Sequence, residues 1–258
     1  MLLSVIVGIG LSFFIPFHEE AAGWAVSHVY WAISIAQGIL YVSAAILTFQ
    51  AVFKVKELGG ILGSSLRILG VGLILLGISQ GQIPIMDNFN LWKTTYYNSG
   101  YYYFPYMISA FILSFGLFVA GRSYTKNNKI IVLATLVFII AAGITATHLP
   151  HPVDAYGRTG FQYALTLCIE SVLTGLSGYM LITSFLIKRA FVSSKLGRVF
   201  GIVSIAFIFN FVAVAQSFPL EFMGWNNFYV NSGIYYLPFF LTALSFVYFS
   251  LRLKYLEI

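Results

Sequence analysis

Long apolar stretches alternate with short polar segments along the whole chain. An apolar run of about 20 residues can cross a bilayer as a helix. Such runs predict eight transmembrane helices, at residues 2–17, 27–53, 64–86, 100–121, 129–147, 160–187, 197–218 and 231–252. The first run lacks the basic start and the small-residue cleavage site of a signal peptide, so we expect it to be retained. The pattern predicts an all-α, polytopic integral membrane protein.

The polar segments between these runs alternate between basic and acidic. Twelve of the fourteen Lys and Arg residues fall on one side of the predicted membrane: Lys54, Lys56, Arg67, Arg122, Lys126, Lys129, Lys188, Arg189, Lys195, Arg198, Arg252 and Lys254. On the other side, Lys93 and Arg158 are the only cations. Because cytoplasmic segments are enriched in Lys and Arg, we expect a multi-pass protein of the cell membrane with both termini in the cytoplasm.

A sequence motif occurs twice and indicates an internal duplication. The pattern W-x5-N-S-G-x-Y-Y-x-P spans residues 92–105 and returns at 225–238, an offset of 133 residues. The same offset pairs Gln37 with Glu170 in the middle of two predicted helices. A motif of this length, matched at a single spacing, indicates that the chain contains two copies of one unit.

Each copy contains four predicted helices. We predict the units to be residues 1–125 and 126–258. An even number of spans gives both units the same orientation, so a pseudo-twofold axis along the membrane normal would relate them. Asn98 and Asn231 are predicted to cap the last helix of each unit, because an asparagine oxygen accepts hydrogen bonds from the first backbone N–H groups.

The composition excludes most soluble classes. Hydrophobic residues make up 59% of the chain and charged residues 9%, whereas about 25% charged is usual for a soluble domain. The net charge of +6 is spread between apolar runs, which is typical of an orientation signal and not of a nucleic-acid patch. The single cysteine, Cys168, excludes an internal disulfide. We expect a lipid bilayer, and no nucleic acid, around this protein.

One acidic residue lies deep within a predicted helix. Glu170 is about ten residues into the sixth span, and ionisable side chains inside a bilayer are costly and usually functional. Glu170 is therefore the candidate catalytic residue, as a proton relay or as a hydrogen-bond partner of a quinone, and Gln37, at the equivalent depth, is a candidate cofactor-binding residue. The alternative is a structural contact between helices that involves Gln37, Ser171, Asn210 or Gln216.

The four histidines, His18, His28, His148 and His151, all fall toward the predicted outer side. His18 and His151 are repeat-equivalent, so an axis between the units could bring them together as axial ligands of a haem b. Binding of a quinol or of a divalent metal with nearby carboxylates is also open, as is a purely structural role at helix ends. The cofactor and any metal therefore remain open at this point.

The predicted outer segments are rich in Trp and Tyr, including residues 96–97, 101–103 and 235–236. Such rings prefer the lipid headgroup level and form an aromatic belt. The alternative is a docking surface for an extracytoplasmic partner. The chain contains no Walker, zincin or serine-hydrolase motif, so an enzymatic role would be that of a non-hydrolytic subunit of an oxidoreductase complex.

In layout, with two tandem four-helix units and aromatic outer segments, the chain resembles membrane subunits of respiratory complexes. It is similar to polysulfide-reductase-type anchors and to the hydrophobic subunit of an archaeal membrane-bound b-type cytochrome complex. This resemblance implies a subunit for electron transport that anchors an extracytoplasmic redox partner and contributes to a quinone or haem site near the outer leaflet. Two further hypotheses stay open: a small-solute transporter or channel with its path between the repeats, and a membrane scaffold or assembly subunit without chemistry.

Overall fold

Seven α-helices form nearly all of the part of the chain that the computed structural model describes, which is residues 28–54, 60–88, 103–148, 161–216 and 237–255. The helices are α1 (His28–Lys54), α2 (Gly60–Asn88), α3 (Phe104–Tyr124), α4 (Asn128–His148), α5 (Phe161–Ala190), α6 (Lys195–Ala215) and α7 (Leu237–Lys254). Each is long and apolar enough to cross a membrane. This confirms seven of the predicted spans; the first, residues 2–17, lies outside the described residues.

Helix α3 begins later than the sequence pattern predicts. Its first residue is Phe104, and Tyr103 occupies the N-cap position without a side-chain capping bond. Pro105 therefore lies in the first turn, where its missing N–H leaves no intrahelical bond unmade. The prediction that Asn98 caps this helix is wrong, because the rigid φ of proline favours a helix start directly before it. The equivalent Asn231 lies outside the described residues.

Six of the helices form a closed ring. Helix α1 contacts α2, α2 contacts α3, α3 contacts α5, α5 contacts α6, α6 contacts α7, and α7 returns to α1. Helices α1 and α5 are three steps apart in this order, so they lie on opposite sides of the ring. The core contains large buried rings that include Tyr41, Phe200, Phe207, Phe246 and Phe249.

Helix α4 lies outside the ring and packs mainly on α5. Only 11% of its membrane-spanning segment is buried inside the protein, compared with 61% of the span in α5. Near one end, the Tyr179 hydroxyl donates a hydrogen bond to Asn128 Oδ1 at 3.0 Å and links the two helices. The remaining surface of α4 is apolar and exposed, as expected for a helix that faces lipid.

Helices α1 and α2 approach each other through two glycines. A Cβ atom added at Gly77 would lie 2.9 Å from the Gly38 carbonyl oxygen, and one at Gly38 would lie 3.0 Å from the Gly77 oxygen. Small residues permit this close approach, which replaces the hydrophobic driving force that lipid cannot supply between helices. The contact fixes the α1–α2 edge of the ring.

All cationic side chains that the structure describes lie at one end of the bundle. Short connections at 125–127 and 191–194 join α3 to α4 and α5 to α6 at this end, where α1 also ends and α2 begins. The end of α7 joins them, because Lys254 Nζ donates a hydrogen bond of 2.8 Å to Gln50 Oε1 near the end of α1. The basic end comprises Lys54, Arg67, Arg122, Lys126, Lys129, Lys188, Arg189, Lys195, Arg198, Arg252 and Lys254. The predicted clustering of these cations on one side is therefore present in the fold.

Candidate functional site

Glu170 lies inside the helix bundle. It is the tenth residue of α5, about 14 Å along the helix from its first residue, and therefore in the half of the bundle away from the basic end. Its side chain is only 4% exposed. Among the residues whose side chains the structure describes, it is the only acid. A carboxyl group in such surroundings must be protonated, hydrogen-bonded or beside a polar cavity, because an isolated buried charge is costly.

Three further polar residues share the face of α5 that carries Glu170. Thr166 lies four residues before it, and Thr174 and Ser177 lie four and seven residues after it, which places all four on one side of the helix. All are buried. We call these four residues the α5 polar face.

The α5 polar face points between two neighbouring helices. On one side, Leu173 and Leu176 pack with Ala110 of α3. On the other, Asn210 Nδ2 of α6 donates a hydrogen bond of 2.9 Å to Ser177 Oγ. Because Glu170 precedes Ser177 by two helical turns, its side chain leaves α5 in nearly the same direction, toward the interior of the ring.

A second polar face lies across the ring on α1. Gln37 is the tenth residue of α1 and is 1% exposed. Tyr41 and Thr48 lie four and eleven residues further on and share its side of the helix. Within the described part of the chain, Gln37 Nε2 has no hydrogen-bond partner. We call Gln37, Tyr41 and Thr48 the α1 polar face.

The α1 polar face is tied to α7. The Tyr41 hydroxyl donates to the Phe239 carbonyl oxygen at 3.3 Å. Thr48 Oγ1 and Ser250 Oγ share a hydrogen bond of 2.9 Å, and the Tyr41 ring packs against Phe246 at 6.3 Å between centroids. These contacts fill the space beside Gln37 with a large aromatic side chain.

Two of the residues proposed as structural partners of Glu170 make other hydrogen bonds. Ser171 Oγ donates to the Leu167 carbonyl oxygen of its own helix at 2.7 Å. Asn210 donates to Ser177, as described above. Thr174 Oγ1, one turn from Glu170, has no partner among the described residues. The α5 polar face therefore includes a buried hydroxyl whose hydrogen-bonding capacity is unused within the described structure.

The candidate histidines are not assembled in the described part of the fold. His148 ends α4, outside the ring, where its exposed ring has Nδ1 2.8 Å from the Ile144 carbonyl oxygen. His28 begins α1, but its side chain is not among those described, and His18 and His151 lie outside the described residues. Within the described residues, no group of three or more His, Cys, Asp or Glu side chains is placed to hold a metal ion.

The sequence pattern identified Glu170 and Gln37 but not the faces on which they lie. Thr166, Thr174 and Ser177 have the four- and seven-residue spacing to Glu170 that marks one side of a helix, so this signal was present in the sequence. No protein-family model, no curated protein and no solved structure matches the chain. The arrangement of the site therefore has to be interpreted from its own chemistry.

Proposed function

We propose that this protein is an integral membrane subunit of an electron-transfer complex, in which Glu170 accepts a proton or a hydrogen bond from a quinol. The observation that carries the proposal is the burial of Glu170 inside the ring, together with the hydroxyls of Thr166, Thr174 and Ser177. A glutamate with a purely structural role is energetically unfavourable here, because an acid in mid-membrane costs about 2.5–3.5 kcal/mol. Gln37 shows that an uncharged amide is accommodated at the equivalent depth.

The chemistry required of the chain is modest. A quinol that becomes a quinone releases two electrons and two protons. Glu170 would accept the two protons one after the other, and the hydroxyls of the α5 polar face would hydrogen-bond the ring oxygens and lead each proton onward. The electrons would pass to a redox centre in a partner subunit. His18 and His151 remain candidates for binding haem b or the quinone at the predicted outer surface. The proposed proton transfer to Glu170 does not depend on them.

Two further features fit a duplicated membrane subunit. Helices α1 and α5 begin 133 residues apart, as do α3 and α7. The contacts α1–α2, α2–α3 and α3–α5 recur as α5–α6, α6–α7 and α7–α1, which is the order that a twofold axis through the ring would produce. We propose on this basis that residues 1–125 and 126–258 are parallel repeats, with the basic end in the cytoplasm and the redox partner at the opposite surface.

The test is the exchange Glu170→Gln in the assembled complex, with quinol oxidation as the readout. Glutamine keeps the size and the hydrogen-bonding ability but cannot accept the proton, so we expect turnover to fall about 100-fold, a typical loss for a proton acceptor, without loss of assembly. Ser171→Ala is the matched control, because Ser171 is the adjacent buried residue and bonds only within its helix. Wild-type turnover in Glu170→Gln would contradict the proposed role of Glu170 and favour the scaffold hypothesis.

A second candidate function is small-solute transport through the ring. The opposed positions of Gln37 and Glu170 favour it, because a path between the repeats would be lined from both sides. Purified protein in sealed liposomes distinguishes the two functions. Transport predicts solute or proton flux that both Gln37→Leu and Glu170→Gln alter, whereas quinol oxidation depends on Glu170 and not on Gln37.

A further inference from the structure

A cavity of about 400 Å³ opens at the basic end, between the beginning of α6 and the end of α7. Its polar lining consists of Lys195, Arg198, Arg252, Tyr248 and Tyr255. The two helices bring together cations that are more than 50 residues apart in sequence. This site is separate from Glu170, which lies in the other half of the bundle.

The arginine from α7 is held in place at the cavity. Its Nε and Nη2 groups donate hydrogen bonds of 3.0 and 2.9 Å to the Tyr248 hydroxyl. The guanidinium carbon of Arg252 also lies 5.2 Å from the centre of the same tyrosine ring. A guanidinium has five N–H donors in a fixed plane, so donors remain for a ligand after the tyrosine has been bonded.

Two of the three cations at the cavity, Arg198 and Arg252, have no acidic partner among the described residues. Arg198 has no hydrogen-bond or ion-pair partner among the described residues, and its side chain is exposed. The only described acid, Glu170, is far along α5. Two guanidinium groups at one cavity form a site for an anion, and planar guanidinium groups match the oxygens of a phosphate especially well.

The remaining wall of the cavity is apolar. Val199 and Ile202 line it, and Ile202 is about 10 Å along α6 from Lys195 at the helix start. The cavity therefore changes from cationic to apolar over the depth at which a lipid changes from headgroup to acyl chain. Basic sites between membrane helices on the cytoplasmic side bind anionic lipid headgroups, and tyrosines such as Tyr248 and Tyr255 favour the interface.

We propose that this cavity binds the phosphate of an anionic phospholipid, with Arg198 and Arg252 on the phosphate and Val199 and Ile202 against the glycerol and the first acyl carbons. The chemistry shared with a free anion is the phosphate group. The apolar wall favours a lipid as its source, because inorganic phosphate would gain nothing from those side chains.

Native mass spectrometry of the purified full-length protein tests this inference with phosphatidylglycerol, phosphatidylcholine and inorganic phosphate as probes. We expect wild-type protein to retain phosphatidylglycerol in preference to phosphatidylcholine. Each interfacial cation contributes about 5-fold to binding of an anionic lipid, so Arg198→Gln with Arg252→Gln should weaken retention about 25-fold. The matched control is Arg122→Gln with Arg189→Gln, which removes two charges from the same end but outside the cavity, and it should leave retention unchanged.

A further variant separates lipid from free phosphate and does not depend on removing charge. Ile202→Trp fills the apolar wall and keeps all three cations, so it should reduce phosphatidylglycerol retention. If both double variants weaken phosphatidylglycerol retention equally, the effect comes from the general surface charge of this end, and the proposed site is wrong. Displacement of the lipid by inorganic phosphate, or wild-type retention in Ile202→Trp, would overturn the assignment to a lipid.

Discussion

Gln37 and Glu170 occupy equivalent positions but have different surroundings. Each is the tenth residue of its helix, and each is almost completely buried. One turn after Gln37 comes Tyr41, whose ring fills the space and whose hydroxyl bonds to α7. One turn after Glu170 comes Thr174, a small side chain with an unpaired hydroxyl within the described structure. The α1 polar face is therefore filled by a large side chain that holds α1 to α7, whereas the α5 polar face has small polar side chains around an acid.

The largest expected effect is an all-or-none labelling difference that tests whether the two halves share one orientation. Single cysteines placed at Asn90 and Asn226, in a chain with Cys168 replaced by alanine, should react with an impermeant maleimide on intact cells. Cysteines at Thr125 and Ser194, in the connections at the basic end, should be protected until the membrane is opened. Protection of only one of the first pair would show that the halves differ in orientation and would remove the basis of the comparison.

Truncation of the aromatic ring beside Gln37 should be the most destabilising single change. Tyr41→Ala leaves a large cavity next to α7 and removes a hydrogen bond, so the free energy of unfolding should fall by about 3 kcal/mol. Thr174→Ala, at the equivalent position, should change it by less than about 0.5 kcal/mol, since the hydroxyl has no partner to lose. Unfolding in mixed micelles measures both. Similar losses in the two variants would mean that the faces are packed alike.

Some of these features can be predicted from the sequence alone and others cannot. The seven described spans follow from apolar length, because a bilayer requires about 20 apolar residues whatever the neighbouring helices are. The ring order does not follow, since it depends on contacts such as Gly38 with Gly77 that involve small residues far apart in sequence. The basic cavity cannot be predicted from the sequence for the same reason. Arg198 and Arg252 belong to different helices, and they lie close together only because of the way α6 packs against α7.

Changes at the α1–α2 contact and at the α5–α6 contact should have intermediate effects on stability. Gly77→Ala pushes a Cβ atom against the Gly38 carbonyl oxygen at 2.9 Å, which should cost about 1–3 kcal/mol of stability. Asn210→Ala removes the hydrogen bond to Ser177 between α5 and α6, and such bonds in membranes are worth about 0.6 kcal/mol. The reverse order of the two losses, measured by the same unfolding assay, would show that the α1–α2 contact is looser than its geometry indicates.

The smallest effect should come from Gln37 itself. Leucine has a similar size and no polar group, so Gln37→Leu removes an amide nitrogen that lacks a partner within the described structure. We expect stability to rise by about 1 kcal/mol and quinol oxidation to stay at the wild-type rate. A drop in turnover would place Gln37 in the same site as Glu170 and favour a path lined by both helices.

The central claim is that Glu170 changes its protonation or hydrogen bonding while a quinol is oxidised. Infrared difference spectroscopy of the assembled complex, before and after quinol addition, measures the carboxyl C=O band directly. We expect a band that shifts or appears on quinol oxidation in wild-type protein and in Ser171→Ala, and that is absent in Glu170→Gln. The same difference spectrum in wild-type protein and in Glu170→Gln would contradict the claim, because the carboxyl group would then take no part in the reaction.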